Sequence, residues 1–221
     1  ALFEDAQAFC VAQFEMKLSE NDDGDEACTC ENYVGSECSV SSCEGPLASR
    51  PGGTPVNYVT STSAVELCES IGATYGLISN EQWQLIARNI ENQDLNWSGG
   101  SVGNGSVNQG HSDGDPLELL PVGDLSNPCT GTGNPDCTNG NGSDYSQKRT
   151  HILSNGAILW DFSGNLSERV DGSEGISSDI IASWQSFSDP IFTTSAGAEI
   201  YRRNYGPEGD YDQTHGMGKF Y

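Results

Sequence analysis

The pattern of apolar and polar positions predicts two amphipathic helices in the first half of the chain. The first begins at the hydroxyl residues 61–63, which are favoured N-caps, and runs to about Ile71. The second begins after Ser79, which has a glutamine three residues later in the form of a capping box. Its apolar residues recur at helical spacing as far as about Asn92, so one face is expected to pack on a core. Trp83 lies on that face and is expected to be a core residue rather than a platform for a ligand.

Alternating apolar and polar residues predict strands on both sides of these helices. Residues 8–17 alternate well enough for a strand. Residues 150–160 predict a hairpin, because Asn155 and Gly156 at its centre form the residue pair that tight hairpin turns prefer. Between the helices and this hairpin, residues 96–146 are dominated by Gly, Asn, Ser, Asp and Pro. A loop of this length usually has a function or is held in place by a metal or a disulfide.

A glycine turn with an acid on each side follows the hairpin directly. Asp161 and Glu168 flank the pair Gly164-Asn165. Such a turn lets carboxylate oxygens from both arms and backbone carbonyls from the turn converge, and hard cations such as Ca²⁺ favour these ligands. The residues alone leave three roles open for the two acids: binding a cation, catalysis, or only capping the turn.

Composition limits the function classes. The 221 residues suffice for one domain or two small ones, and a hydrophobic content of 35% with 27 glycines predicts a small core with many loops. A net charge of -23 argues against nucleic acid and anionic membranes as partners. It permits divalent cations or a basic partner, and it also serves simply to keep an extracellular protein soluble.

The cysteines predict disulfide bonds and an oxidising compartment, because eight of them occur in a loop-rich acidic chain. Zinc is the alternative, but the spacings lack the CxxC form of zinc ribbons. Cys129 and Cys137 are expected to close a local loop. Cys28, Cys30, Cys38 and Cys43 are expected to pair among themselves, which leaves Cys10 and Cys68 for a long-range pair.

Other signals for chemistry are weak. No run of apolar residues is long enough for a transmembrane helix, and a start at Ala1 without a signal peptide is expected for a mature exported chain. The three histidines lack metal-binding spacing, and no nucleophile elbow or dinucleotide fingerprint occurs in the right context.

Five segments, in the same order along the chain, resemble the formylglycine-generating, sulfatase-modifying-factor-like family, a branch of the C-type-lectin-like fold. The segments are residues 9–17, 76–90, 96–103, 110–113 and 147–165. The resemblance covers nearly the whole chain and implies a single α+β domain over 1–221. It implies two helices on a small twisted antiparallel sheet with long irregular loops, with a Cys-rich insertion at about 19–57 and the long loop at about 96–146.

The resemblance also implies a structural calcium ion at the glycine turn. Family members carry the pattern Asn/Asp-x-x-Gly-Asn-x-x-Glu, which maps the side chains of Asp161 and Glu168 and the carbonyl oxygens of Gly164 and Leu166 onto the ion. The chain departs from the family where both aromatics that usually flank the glutamate are replaced. No cysteine follows Cys137, although catalytic members use a later cysteine pair to bind copper, and Cu(I) requires such thiolates. The chain also stops before the family's closing strand, so we expect that strand to lie outside it or to come from a partner.

These features together favour a non-enzymatic function. We expect an extracellular, calcium-stabilised binding or adhesion domain that recognises a protein or glycan ligand at a cell surface. Aromatic and arginine side chains of the loops are the expected anchors: Trp97, Tyr145, Trp184, Tyr201, Arg202, Arg203 and Tyr205. The alternatives are a subunit of a filament or surface layer that pairs with copies of itself and, third, an oxidase of the formylglycine-generating type.

Overall fold

The computed structural model describes about half of the chain. The described residues are 8–18, 46–57, 59, 61–105, 107–111, 120–133, 137, 147–166, 168–171, 191–193 and 199–201. They form a mixed α+β structure with two helices and short antiparallel strand pairs, which confirms the predicted class at that level.

The elements follow one another along the chain with long connections between them. They are β1 (Met16–Lys17), β2 (Ala48–Ser49), α1 (Ser61–Ser70), α2 (Asn80–Glu91), a 3-10 helix (Asp94–Asn96), β3 (Thr150–Ile152), β4 (Ile158–Trp160), β5 (Ile191–Thr193) and β6 (Glu199–Tyr201). Within the described residues the strands pair two by two, as β1 with β2, β3 with β4, and β5 with β6.

Both predicted helices form close to their expected bounds. The predicted capping box is confirmed, because Ser79 Oγ accepts from Gln82 N at 3.2 Å while Gln82 Oε1 accepts from Ser79 N at 3.0 Å. Two backbone donors at the start of α2 are thereby satisfied. No helix in the part of the chain that the structure describes is long and apolar enough to span a bilayer.

The predicted hairpin is confirmed, whereas the predicted first strand is mostly wrong. Thr150 pairs with Trp160 across β3 and β4, and Gly156 in the turn between them has φ 81°. Of residues 8–17, only the last two pair as a strand, because the partner β2 is itself only two residues long.

The main core lies between α2 and the hairpin. It consists of Trp83, Ile86, Ala87, Ile90, Trp97, Val107, Leu159 and Phe162. The prediction that Trp83 is a core residue is confirmed, and its ring stacks on that of Phe162 with 4.8 Å between centroids. Burial of these apolar side chains is the main contribution that stabilises the packing of α2 against the hairpin.

Buried amides join the long loop to the hairpin. Asn96 is fully buried, and its side chain both donates to Ile152 O at 2.8 Å and accepts from Ile152 N at 2.9 Å. Asn108 is also fully buried and donates to Thr150 O at 3.0 Å. These side chains therefore satisfy backbone groups of β3 that its pairing with β4 leaves over.

Candidate functional site

Arg149 organises the site around the glycine turn. Its side chain is fully buried, and each of its five guanidinium N–H groups has an acceptor. Nε and Nη2 donate to the two carboxylate oxygens of Asp161, each at 2.6 Å. Nη2 also donates to Leu120 O at 2.7 Å, and Nη1 donates to Thr130 O at 2.7 Å and Pro121 O at 3.1 Å. The guanidinium therefore ties the turn to the loop 120–130.

Backbone contacts fix the same arrangement. Arg149 N donates to Pro128 O at 2.9 Å, and Asp161 N donates to Arg149 O at 2.8 Å. Asp161 has φ 55°, a left-handed conformation that is costly for most residues and that Asp tolerates better than most. A disulfide between Cys129 and Cys137 closes the neighbouring loop, as expected from their spacing.

Arg149 was not among the residues that the sequence pattern singled out. A usable signal exists, however, because the chain has only nine basic residues and one of them enters the hairpin opposite the acid that leaves it. In the register that pairs Thr150 with Trp160, Arg149 stands across from Asp161. A base facing an acid at a buried hairpin end is the pattern of a paired charge.

Asn165 is the second residue that gathers separate segments. Its Nδ2 donates to Glu15 Oε2 at 2.6 Å, and its Oδ1 accepts from Leu120 N at 2.9 Å. Its backbone N donates to His111 O at 2.7 Å. Asn165 has φ 60°, which Asn adopts more readily than most residues. The glycine turn, the N-terminal segment and two loops therefore meet at one residue.

Two glycines let the chain segments approach each other closely. Gly110 has φ 65°, and a Cβ atom there would collide with Ser163 O. Gly164 has φ 89°, and a Cβ atom there would collide with Gln109 O and lie 2.8 Å from His111 N. A larger residue at either glycine would force the two backbone segments apart.

Three carboxyl groups beside the turn are within electrostatic range of one another, and we call Glu15, Asp161 and Glu168 the acid cluster. Burial, followed by the charges of Asp161 and Glu168, raises the pKa of Glu15 well above its usual value. Glu168 is exposed as a residue, yet desolvation of its carboxyl group and the charge of Asp161 raise its pKa to about 8. Burial raises the pKa of Asp161, and its bonds to Arg149 oppose that rise.

Basic groups lie close to the acid cluster as well. Lys17 is buried and donates from Nζ to the backbone oxygen of Glu15 at 3.0 Å. Burial lowers the pKa of Lys17 to about 8, while the nearby charge of Glu15 opposes this shift. Glu15 Oε1 is buried and has no hydrogen-bond partner. Glu15 thus keeps one carboxyl oxygen without a hydrogen-bond partner.

The four expected calcium ligands lie in one turn, but they are not equally available. Asp161 and Glu168 are within electrostatic range of each other, whereas both oxygens of Asp161 accept from Arg149. The carbonyl oxygen of Gly164 accepts from Leu166 N at 2.7 Å. Among the described residues, no three His, Cys, Asp or Glu side chains are arranged to hold a metal ion together.

The other predicted site residues fall into three groups. Trp97 is buried in the core and donates from Nε1 to Glu91 O at 2.8 Å, so its expectation as a surface anchor is corrected. Cys10 and Cys68 are free thiols, so the expected bond between them is not formed in this structure. Tyr201 lies on β6, and its side chain falls outside the described part. The remaining predicted residues are also outside it: Cys28, Cys30, Cys38, Cys43, Tyr145, Trp184, Arg202, Arg203 and Tyr205.

Comparison with known proteins adds no relative to this description. No family model, no curated protein and no solved structure matches the chain.

Proposed function

We propose that the chain is an extracellular binding or adhesion domain of the C-type-lectin-like type, with a protein or glycan ligand at a cell surface. The observation that carries this proposal is the buried pair of Arg149 and Asp161. An acid whose two oxygens are both held in a guanidinium fork is suited to holding loops in place rather than to proton transfer.

The geometry supports a scaffold that presents loops. Arg149 and Asn165 each bind several backbone groups from segments distant in sequence, and both bind the backbone of Leu120. Loops held by such contacts keep a defined shape although they contain few apolar residues. A preorganised loop surface lowers the entropic cost of binding a ligand.

Calcium at the glycine turn is part of the proposal. The orphaned, buried Glu15 Oε1 supports it, because a cation would supply the missing partner of that oxygen. Glu168 and the carbonyl oxygens of Gly164 and Leu166 are the groups at the turn that would hold the ion, which takes oxygen ligands of these kinds. The ion would stabilise the turn and the loops that it contacts.

A binding screen tests the proposed function. The disulfide-bonded chain is applied to glycan arrays and to intact cells in buffer with calcium and, separately, with chelator. Saturable binding that Arg149→Met abolishes and Arg169→Met preserves would support a loop-presenting domain, because Arg169 is exposed and its guanidinium donates to Ser61 Oγ at 3.3 Å. Thiol-dependent oxidation of a cysteine peptide would overturn the proposal in favour of an enzyme.

Self-assembly is the other outcome that the screen must recognise. Filaments in electron micrographs of the purified chain, without binding to glycans or cells, would favour the structural-subunit alternative over an adhesion domain.

A further inference from the structure

We propose that the side chains of Lys17 and Asn165 join in an intramolecular isopeptide bond, and that Glu15 transfers the protons of this reaction. The inference goes beyond the proposed function and depends on neither calcium nor a ligand. It rests on two hydrogen bonds that meet at Glu15. Lys17 Nζ donates to the backbone oxygen of Glu15 at 3.0 Å, and Asn165 Nδ2 donates to Oε2 of its carboxyl group at 2.6 Å. An amine, an acid and an amide are thus held at one residue.

Lys17 has the surroundings of a reactive lysine, because its side chain is buried. Only 2% of the residue is exposed, and Nζ makes one hydrogen bond among the residues that the structure describes. An amine that is kept away from water is not held by a hydration shell, and lysines in such surroundings act as nucleophiles towards carbonyl carbon atoms.

Asn165 presents the carboxamide that such an amine can attack. Its Oδ1 accepts from Leu120 N at 2.9 Å, so a backbone N–H lies where negative charge develops during attack at Cγ. Its Nδ2, which has to leave, donates to Glu15 Oε2 and also to Leu120 O at 3.3 Å. The carboxamide is therefore oriented and polarised before any reaction occurs.

Glu15 has a separate oxygen for each proton transfer. Oε2 contacts the leaving nitrogen of Asn165, whereas Oε1 is buried without a hydrogen-bond partner. An oxygen left in this state costs free energy, and a proton from the Lys17 amine removes that cost. The Lys17 side chain already folds back onto Glu15. Rotation about its terminal bonds is the movement that brings Nζ from the backbone oxygen to the carboxyl group and to Cγ of Asn165.

The reaction conserves atoms and needs no oxidant or metal. The Lys17 ammonium first gives a proton to the Glu15 carboxylate, which leaves a neutral amine beside a carboxylic acid. Nζ then bonds to Cγ of Asn165 while Oδ1 takes up the negative charge. Glu15 gives its proton to Nδ2 and accepts the next proton that Nζ loses, so the Cγ–Nδ2 bond breaks and ammonia leaves. One amide has replaced another, and no electron is gained or lost.

The bond fixes the N-terminal segment to the glycine turn and closes a loop over most of the chain. Like a disulfide between residues far apart in sequence, it restricts the conformations of the unfolded chain. A chain with few apolar residues gains stability in this way without a larger core.

Mass spectrometry of the purified chain, reduced and in buffer with chelator, tests the inference. We expect the intact mass to be lower than the sequence mass by one ammonia molecule. A digest should contain the peptide with Lys17 covalently linked to the peptide with Asn165. Lys17→Met should have its full sequence mass and migrate more slowly in a denaturing gel. The matched control is Lys148→Met, which should keep the link, because Lys148 Nζ donates elsewhere, to Leu95 O at 3.2 Å.

Glu15→Gln tests the proton transfer separately from folding. The oxygen of the new amide can still accept from Asn165 Nδ2, but the side chain cannot exchange protons as a carboxyl group does. We expect linkage to slow by at least about a hundredfold, the lower range for loss of a general acid–base group. The far-UV circular dichroism of the variant should match that of the unmodified chain.

The opposite results are equally clear. Absence of the linked peptide from the unmodified chain, or an ammonia loss that persists in Lys17→Met, would overturn the inference. Linkage of Glu15→Gln at the rate of the unmodified chain would overturn the role of Glu15. Ligand and calcium binding are measured in separate experiments, so a failure here leaves the proposed function as it stands.

Discussion

Asn165 Nδ2 donates a 2.6 Å hydrogen bond to Glu15 Oε2, and this contact joins residues 150 positions apart. The same side chain accepts from Leu120 N, so one amide connects the glycine turn to both the N-terminal segment and the long loop. The other oxygen of the Glu15 carboxyl group, Oε1, is buried without a hydrogen-bond partner.

Two substitutions of Asn165 are expected to distinguish the contribution of its hydrogen bonds to stability from that of backbone strain. Asn165→Ala loses the side-chain bonds and keeps a Cβ at φ 60°, and we expect it to lower the free energy of unfolding by about 2–4 kcal/mol. Asn165→Gly loses the same bonds but adopts this φ without strain, so its loss should be smaller. Urea unfolding measures both values, and equal losses would show that strain at this position contributes nothing.

Arg149 is expected to be the most sensitive polar residue of the site. Arg149→Met leaves the Asp161 carboxylate buried without its partner, and we expect a loss of about 3–5 kcal/mol. Arg149→Met combined with Asp161→Asn removes both charges, keeps a residue type that tolerates φ 55°, and should recover part of that loss. Arg169→Met, at an exposed position, should change stability by less than about 0.5 kcal/mol. A double variant no more stable than Arg149→Met would contradict the paired-charge explanation.

Two backbone segments approach each other closely at the glycine turn. The effect of a glycine-to-alanine substitution on stability should therefore depend on its position. Gly110→Ala and Gly164→Ala combine a left-handed φ with a collision against backbone oxygen, so each should lower the melting temperature strongly or prevent folding. The matched control is Gly76→Ala, where a Cβ meets nothing within 4 Å and φ does not require glycine. We expect that control to melt within a few degrees of the unmodified chain, and circular dichroism measures all three. Similar melting of Gly164→Ala and Gly76→Ala would disprove the close contact.

His151 predicts a loss of stability in mild acid. Its Nε2 lies 3.0 Å from Asn108 O and must carry a proton to donate there, while Nδ1 is buried without a partner. Burial lowers the pKa of His151 to about 4, below the value of about 6.5 expected in the unfolded chain. The unfolded chain therefore binds more protons between these values, and this histidine's contribution is full above about pH 6.5 and is lost as the pH falls towards 4.

The matched variant for this effect is His151→Gln, whose amide nitrogen can still donate towards Asn108 O. Urea unfolding at pH 7.5 and pH 4 should show the unmodified chain losing about 3 kcal/mol more than the variant between the two pH values. The comparison is needed because the acid cluster, whose pKa values are raised, contributes with the opposite sign over the same range. An identical pH dependence in both chains would show that His151 is not the titrating group.

The structural features that the sequence predicted correctly depend on local interactions. The capping box at Ser79, the turn at Asn155-Gly156, the core position of Trp83 and the disulfide Cys129–Cys137 all involve residues close in sequence or a periodic pattern. Propensity, spacing and hydrophobic period act over such short distances, so the chain itself contains the necessary information.

The tertiary structure alone decided which side chains are buried and which groups they bind. Trp97 was expected at a surface and lies in the core, because the buried amide of Asn96 and the turn that follows direct the chain inward. The sequence by itself determined the glycine turn and the two acids that flank it. That the Arg149 guanidinium binds the backbone of Leu120, and that Glu15 lies near Glu168 with an unpaired oxygen, depends on contacts between segments far apart in the chain. Such contacts follow from the packing of the whole domain, and no local pattern encodes them.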